Sequence, residues 1–311
     1  MDSSSNEHPA TVPSEAKEEN EHIIQATKSL RRHMGLPEDP TENPSSATPS
    51  SVGPTFWLEV APPSIRGAKC RLDVCTTNIM PGKYRIAVNP GCHSFRGHQS
   101  PDYYHVGCFE KIADFSQEDF VDRVQPVTRN TWQFRNLNAS SVLDGNYLLD
   151  AGAERLTISW KQAVKKLINE RDGVEIEDDT SEAVRDLLDN AGSSKFVPRE
   201  IPDADAFELR LLSSTLAPNE SDGSEDTEEW NLFYEFQMVV DGDQKSLDNR
   251  HNLDMTLYLW RDHVTLATSN NLSEELKERK EKELNPKAIR AIKRLMVTPM
   301  PDIQGAFRRG L

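Results

Sequence analysis

Long apolar runs are missing from this chain. No stretch approaches the roughly 18–20 consecutive apolar residues that span a bilayer. The first residues, MDSSSNEHPATVPSEAKEEN, have neither the charged start nor the apolar core of a signal peptide. The chain is therefore read as soluble and intracellular. A basic excess is missing too: 36 Lys and Arg face 51 Asp and Glu, a net charge of −15. That excludes a uniformly basic nucleic-acid binder. It does not exclude a local basic face, because counterion release depends on the contact surface and not on the total. Apolar residues reach only 36% against 28% charged, below the usual globular share. Such a chain is expected to combine folded parts with sizeable disordered ones. Its 311 residues leave room for two ordinary domains.

Catalytic signatures are also lacking. There is no Lys-x-Asp-Gly adenylation motif, no Asp-x-Asp-Gly-Thr phosphatase motif and no Gly-rich loop ahead of Lys-Ser/Thr. His251 and His263 stand alone and read as surface or packing residues. No enzymatic activity is expected.

Cysteine is scarce but clustered. All four cysteines, Cys70, Cys75, Cys92 and Cys108, lie between Phe56 and Asp114, with His93, His98 and His105. In a reducing compartment such clustering favours metal over disulfides. Two short-spaced pairs stand out, Cys70-x4-Cys75 and His105-x2-Cys108, with 29 residues between them. Four soft or borderline ligands are what a structural zinc ion needs. The long loop between the pairs is tolerable because closure entropy grows slowly with length. Zinc held this way contributes on the order of 10 kcal/mol to folding, which a short segment poor in aliphatics needs. Cys92 could replace Cys70 or Cys75. It lies mid-loop with only His93 as a close partner, and is read as a free thiol.

Around this segment the chain divides by composition. Residues 1–54 carry nine acidic and four basic side chains amid Ser, Pro and Thr. They read as a disordered acidic tail, with a transient helix over Glu21–Met34. Within 55–125, FWLEVA and Lys83–Val88 read as strands, and His105–Ile112 and Ser116–Val124 as helices. Residues 126–150 show little periodicity and read as a linker. Residues 151–311 read as a mainly helical region without an assigned function. Helices are expected over Leu156–Glu170, Ser181–Asn190, Asp203–Leu212, His251–Leu266 and Leu272–Met296, with Pro286 opening a new first turn. Trp230–Val240 is the densest apolar run and is left open between helix and strand. Glu170–Asp189 and Glu220–Glu229 are acidic and read as solvated loops. The basic end, Lys277–Arg294, reads as a solvated helix face.

The cysteine segment resembles the poly(ADP-ribose) polymerase-type (PARP-type) zinc finger, a module that senses DNA strand breaks. The residues carrying the resemblance are Trp57-Leu58-Glu59-Val60-Ala61, Arg66-Gly67-Ala68-Lys69-Cys70, and Ile79-Met80-Pro81-Gly82-Lys83-Tyr84-Arg85-Ile86. Phe95-Arg96-Gly97 and Tyr103-Tyr104-His105-Val106-Gly107-Cys108-Phe109 complete it. The match covers about 60 residues, roughly 56–114, a fifth of the chain. It departs from the family in its C-x4-C knuckle, where the family has C-x2-C, and in Gly67 between Arg66 and Ala68. Nothing after residue 126 resembles an ADP-ribosyl transferase domain.

The resemblance implies zinc held by Cys70, Cys75, His105 and Cys108. It also implies DNA ends, nicks or damage as the target, without sequence preference. Arg66 and Arg85 would hold phosphates and Phe95 would stack on exposed bases, in a nuclear protein. Residues 55–111 carry seven bases against four acids, so the segment is locally +3. The alternative is a protein–protein interaction module whose zinc is purely structural. Further protein partners would bind through the helical C-terminal region. The fold class expected is α+β: a small zinc-stabilised finger of short antiparallel sheet plus helix, followed by the mainly helical region.

Overall fold

A computed structural model describes residues 14–39, 53–92, 100–129, 131–174, 252–284 and 286–297. The chain enters through α1 (Ser14–His33), then β1 (Thr55–Val60), β2 (Ala68–Lys69), β3 (Asn78–Ile79), β4 (Tyr84–Asn89) and β5 (Asp102–His105). Next come α2 (Val106–Glu110), α3 (Glu118–Val121), β6 (Val124–Pro126), α4 (Ala139–Leu143) and α5 (Ala151–Asp172). Then follow α6 (Leu253–Thr268), α7 (Glu274–Glu283) and α8 (Pro286–Val297). The result is a mixed α/β structure: a small sheet, helices against it, and a helical C-terminal region. The helices expected over Ser181–Asn190 and Asp203–Leu212, and the run Trp230–Val240, lie outside the described residues.

The sheet has the order β5-β4-β1-β6. β1 and β4 are antiparallel, setting Phe56 opposite Val88, Leu58 opposite Ile86 and Glu59 opposite Arg85. β6 runs parallel to β1, with Phe56 opposite Val124, so the sheet is mixed and not purely antiparallel. β2 and β3 form a separate two-stranded ribbon.

Side chains alternate across a strand, and here both faces are covered. Phe56, Leu58, Ile86 and Val88 point into the main core with Phe109, Phe120 and Trp160. Phe56 stacks edge-on against Phe109, with ring centroids 4.9 Å apart. The opposite face carries Trp57 and Ala87, covered by Val127, Trp132, Leu137, Tyr147 and Leu148. Residues 126–150 are therefore not a free linker. The Val60 N–H donates to the Tyr147 carbonyl at 3.0 Å and the Leu149 N–H to the Val127 carbonyl at 3.0 Å. Lacking periodicity, this segment forms one face of the sheet's cover.

The N-terminal segment is also part of the body. Leu30 and Met34 of the α1 region are buried in the main core. Buried Arg31 donates to the Gln117 side-chain carbonyl at 3.0 Å. His33 Nε2 donates to the Pro90 carbonyl at 2.8 Å. The disordered-tail reading fails over residues 14–39: apolar residues at helical spacing found a surface to bury against, which composition does not register.

α5 ties the halves together. Asp150 is its N-cap, accepting the Ala153 N–H on Oδ1 at 3.0 Å, as short polar residues do at helix starts. The same oxygen takes the Trp260 indole N–H at 2.8 Å. The other takes the Tyr84 hydroxyl at 3.0 Å. One carboxylate thus joins β4, α5 and α6. Gly152 lets the α6 indole lie on the α5 backbone. The expected long helix over Leu272–Met296 breaks as anticipated at Pro286 into α7 and α8. Ala288, Ala291, Ile292 and Leu295 of α8 close the core. Among the described residues no helix is long and apolar enough to cross a membrane.

Candidate metal centre

The β2–β3 ribbon and the β5–α2 junction bring the two short-spaced pairs together. Cys70 follows β2 and is buried. Leu72, also buried, pins the knuckle to the core, and the Cys75 N–H donates to its carbonyl at 2.9 Å to make the turn. The Arg71 N–H reaches the Tyr103 carbonyl at 2.9 Å, holding the knuckle beside β5. His105 ends β5 and stands at the N-cap of α2, and Cys108 lies one turn on.

The three sulfurs and a His105 ring nitrogen all lie within 4.8 Å of one another. Cys75 Sγ is 3.5 Å from His105 Nδ1, and Cys108 Sγ is 3.8 Å from it. Around a tetrahedral zinc with bonds of about 2.3 Å to sulfur and about 2.0 Å to nitrogen, ligand edges are about 3.5–3.8 Å. The observed separations fit. The thiol chemistry fits as well. The Cys108 thiol stabilises a Cys70 thiolate, whose pKa falls to about 5, while the neighbouring sulfurs and burial push Cys108 well above the ordinary thiol range. Crowded thiols of this kind resist joint ionisation until a cation joins them. The group Cys70, Cys75, His105 and Cys108 could hold a metal ion.

Cys92 is not in this group. Its N–H donates to Asp102 Oδ2 at 2.7 Å. Burial, and then the Asp102 charge, push its thiol up to about 11. Asp102 also accepts from Arg71 Nε at 3.0 Å, so it braces the knuckle. A second group, Asp262, His263 and Glu283, also converges. Its cation is already present, because Arg279 pairs with both Asp262 and Glu283.

The expected DNA-contacting residues separate. Arg85 is buried, bound to Glu59 and stacked over Tyr103 with its guanidinium 3.8 Å from the ring centroid. A guanidinium so enclosed cannot reach a phosphate, and the expectation for Arg85 is corrected. Alternation along β4 placed it on the second face of the sheet, and that face is covered by residues 127–149. Arg66 is exposed. Phe95 and Arg96 lie outside the described residues.

The pairing leaves a sharper pattern than the sequence count. Arg85 binds Glu59, Arg71 binds Asp102 and Lys111 binds Glu19. Arg66, Lys69 and Lys83 remain exposed and make no ion pair among the described residues. Two apolar side chains near the β2–β3 ribbon, Ile65 next to Arg66 in sequence and Met80 directly after β3, are exposed as well. Gly67 (φ +67°) sits so close to the far strand that a Cβ would lie 2.6 Å from the Ile79 carbonyl oxygen. This brings the 65–67 turn against Met80. The Asn78 side-chain N–H donates to the Arg66 carbonyl at 3.1 Å and holds that turn. Sequence reading missed Ile65 and Met80, which no periodicity marks.

Comparison with protein-family models, with curated proteins and with solved structures gave no match.

Proposed function

We propose that this chain is a zinc-dependent DNA-binding protein of the PARP-type finger class, acting in the nucleus on DNA ends, nicks or damage without reading sequence. Zinc is the ion whose thiolate and imidazole preferences suit the Cys3His set. One observation carries the DNA reading: Arg66, Lys69 and Lys83 are exposed and make no ion pair among the described residues, and the apolar Ile65 and Met80 are exposed near the same ribbon. Cations that neutralise phosphates position a protein without specifying sequence. Exposed apolar side chains near such cations suit the flat face of a terminal base pair, which a closed duplex does not offer. No catalytic step is assigned.

One observation favours the second reading, a protein-interaction module with a structural zinc. Arg85, which the resemblance places on DNA, serves the fold.

Full-length protein loaded with zinc would be titrated with nicked, blunt-ended and closed circular duplex over a salt series. End-preferring binding is expected, weakening steeply with salt. Arg66→Gln or Lys83→Gln should flatten the log–log salt slope by about 0.9 each. Equal binding to all three DNAs, or none at low salt, would turn the assignment to the interaction module.

A further inference from the structure

Helix α2, which carries Cys108, and helix α6 of the C-terminal region cap one another. Glu110, in the last turn of α2, accepts the Leu253 N–H at 2.7 Å and the Asp254 N–H at 3.2 Å. These are first-turn donors of α6 that have no partner within their own helix. In return Asp254 lies on the first turn of α2. A Cβ on Gly107 would sit 2.8 Å from Asp254 Oδ2 and 3.2 Å from its Cγ. Gly107 lies between the ligands, two positions after His105 and one before Cys108. Burial raises the Asp254 carboxyl, while the Gly107 N–H and the nearby His105 ring act against that rise. So a carboxylate faces the backbone between two ligands.

We infer that Asp254 is a positioning residue of the metal centre, fixing from α6 the orientation of His105 and Cys108. It stands 146 residues beyond Cys108 in sequence, outside the segment that supplies the ligands. Outer partners of a metal site orient its ligands; here the carboxylate acts through the Gly107 backbone and not through a hydrogen bond to the ring. The inference rests on the metal reading of the Cys3His group.

The test is zinc affinity of the full chain, measured by competition with a chromophoric chelator. Asp254→Ala should weaken zinc binding about tenfold or more. Gly107→Ala should do the same while keeping every ligand, because its methyl displaces the Asp254 carboxylate. Alanine also favours helix over glycine, so weaker binding would not reflect a poorer α2. Arg261→Ala removes a separate α6 contact, the hydrogen bond to the Gly82 carbonyl, and should leave zinc affinity within twofold. Asp254→Asn keeps the shape and an acceptor, so it serves where Asp254→Ala does not fold, and a threefold or greater loss is expected of it. Wild-type affinity in Asp254→Asn and Gly107→Ala would overturn the assignment. So would a loss in Arg261→Ala as large as that in Asp254→Ala, which would show only that α6 must dock. Failure of the wild-type chain to bind zinc would instead overturn the metal reading.

Discussion

Arg85 places two N–H donors on one oxygen of Glu59, at 2.9 and 2.6 Å, and Arg135 takes the other oxygen at 3.0 Å. All three side chains are buried between the sheet and its 127–149 cover. Removing the carboxylate would leave two guanidiniums facing each other out of water. Breaking a buried pair from one side costs about 3–5 kcal/mol. Glu59→Ala should therefore lower stability by that order. Arg85→Ala should cost less, since Arg135 still answers Glu59. Urea unfolding of both variants orders them, and a Glu59→Ala protein as stable as wild type would refute the triad's role.

Cys92 gives a pH-dependent readout of the metal centre. With metal bound, three thiolates are occupied and one thiol remains. Its folded pKa is about 11 against an ordinary 9.0. At neutral pH the folded thiolate fraction is then about a hundredfold below that of the unfolded chain, two units apart. Alkylation of metal-loaded protein should be slow and involve one thiol, with a rate rising about tenfold per pH unit toward pH 11. The sign for stability follows. A raised folded pKa favours the protonated native state, so this contribution is complete below pH 9 and lost as pH rises toward 11. A chelator should expose three more thiols to reagent. Four equally fast thiols before chelation would count against the assignment of ligands.

Gly152 separates two opposing effects of alanine. An exposed helical Gly→Ala gains about 1 kcal/mol of helix propensity. Here the new Cβ would lie 1.9 Å from Trp260 Cζ2 and 2.3 Å from Cη2. That indole is fully buried and tethered to Asp150, so it cannot swing aside as a flexible chain end would. Overpacking of this kind costs about 1–3 kcal/mol, and the severe overlap puts Gly152→Ala at or above the top of that range. The clash outweighs propensity, and a lower thermal midpoint is expected. A raised midpoint would mean that α5 and α6 are not so close.

These cases mark what the sequence could express. The candidate metal ligands were legible because each pair is closely spaced in sequence and every cysteine of the chain lies in this one segment. Strand β4 was legible from Tyr84, Ile86 and Val88. The fate of Arg85 was not, since alternation reports that a strand has two faces but not whether the second meets water. Its cover, residues 127–149, has no period to announce it. The link between Glu110 and the start of α6 joins helix ends 143 positions apart. No local pattern encodes such a contact. Proline at 286 was legible because its missing N–H suits a first helical turn wherever it falls.

Leu30 tests how far the N-terminal helix belongs to the body. Charge composition over residues 1–54 argues for a tail, yet Leu30 is 1% exposed and packs in the same core as Phe56 and Phe109. Neighbouring Arg31 spans from the Pro37 carbonyl, at 2.6 Å, to Gln117 at 3.0 Å. If the helix were only leaning on a finished domain, Leu30→Ala would change stability by a few tenths of a kcal/mol. As a core residue it should cost about 2–5 kcal/mol. Full-chain unfolding by urea distinguishes these outcomes. Deletion of residues 1–39 should then be at least as damaging and should leave bound dye reporting exposed apolar surface. An unchanged midpoint in both proteins would return this segment to the status of a tail and confine the core to the sheet and the C-terminal helices.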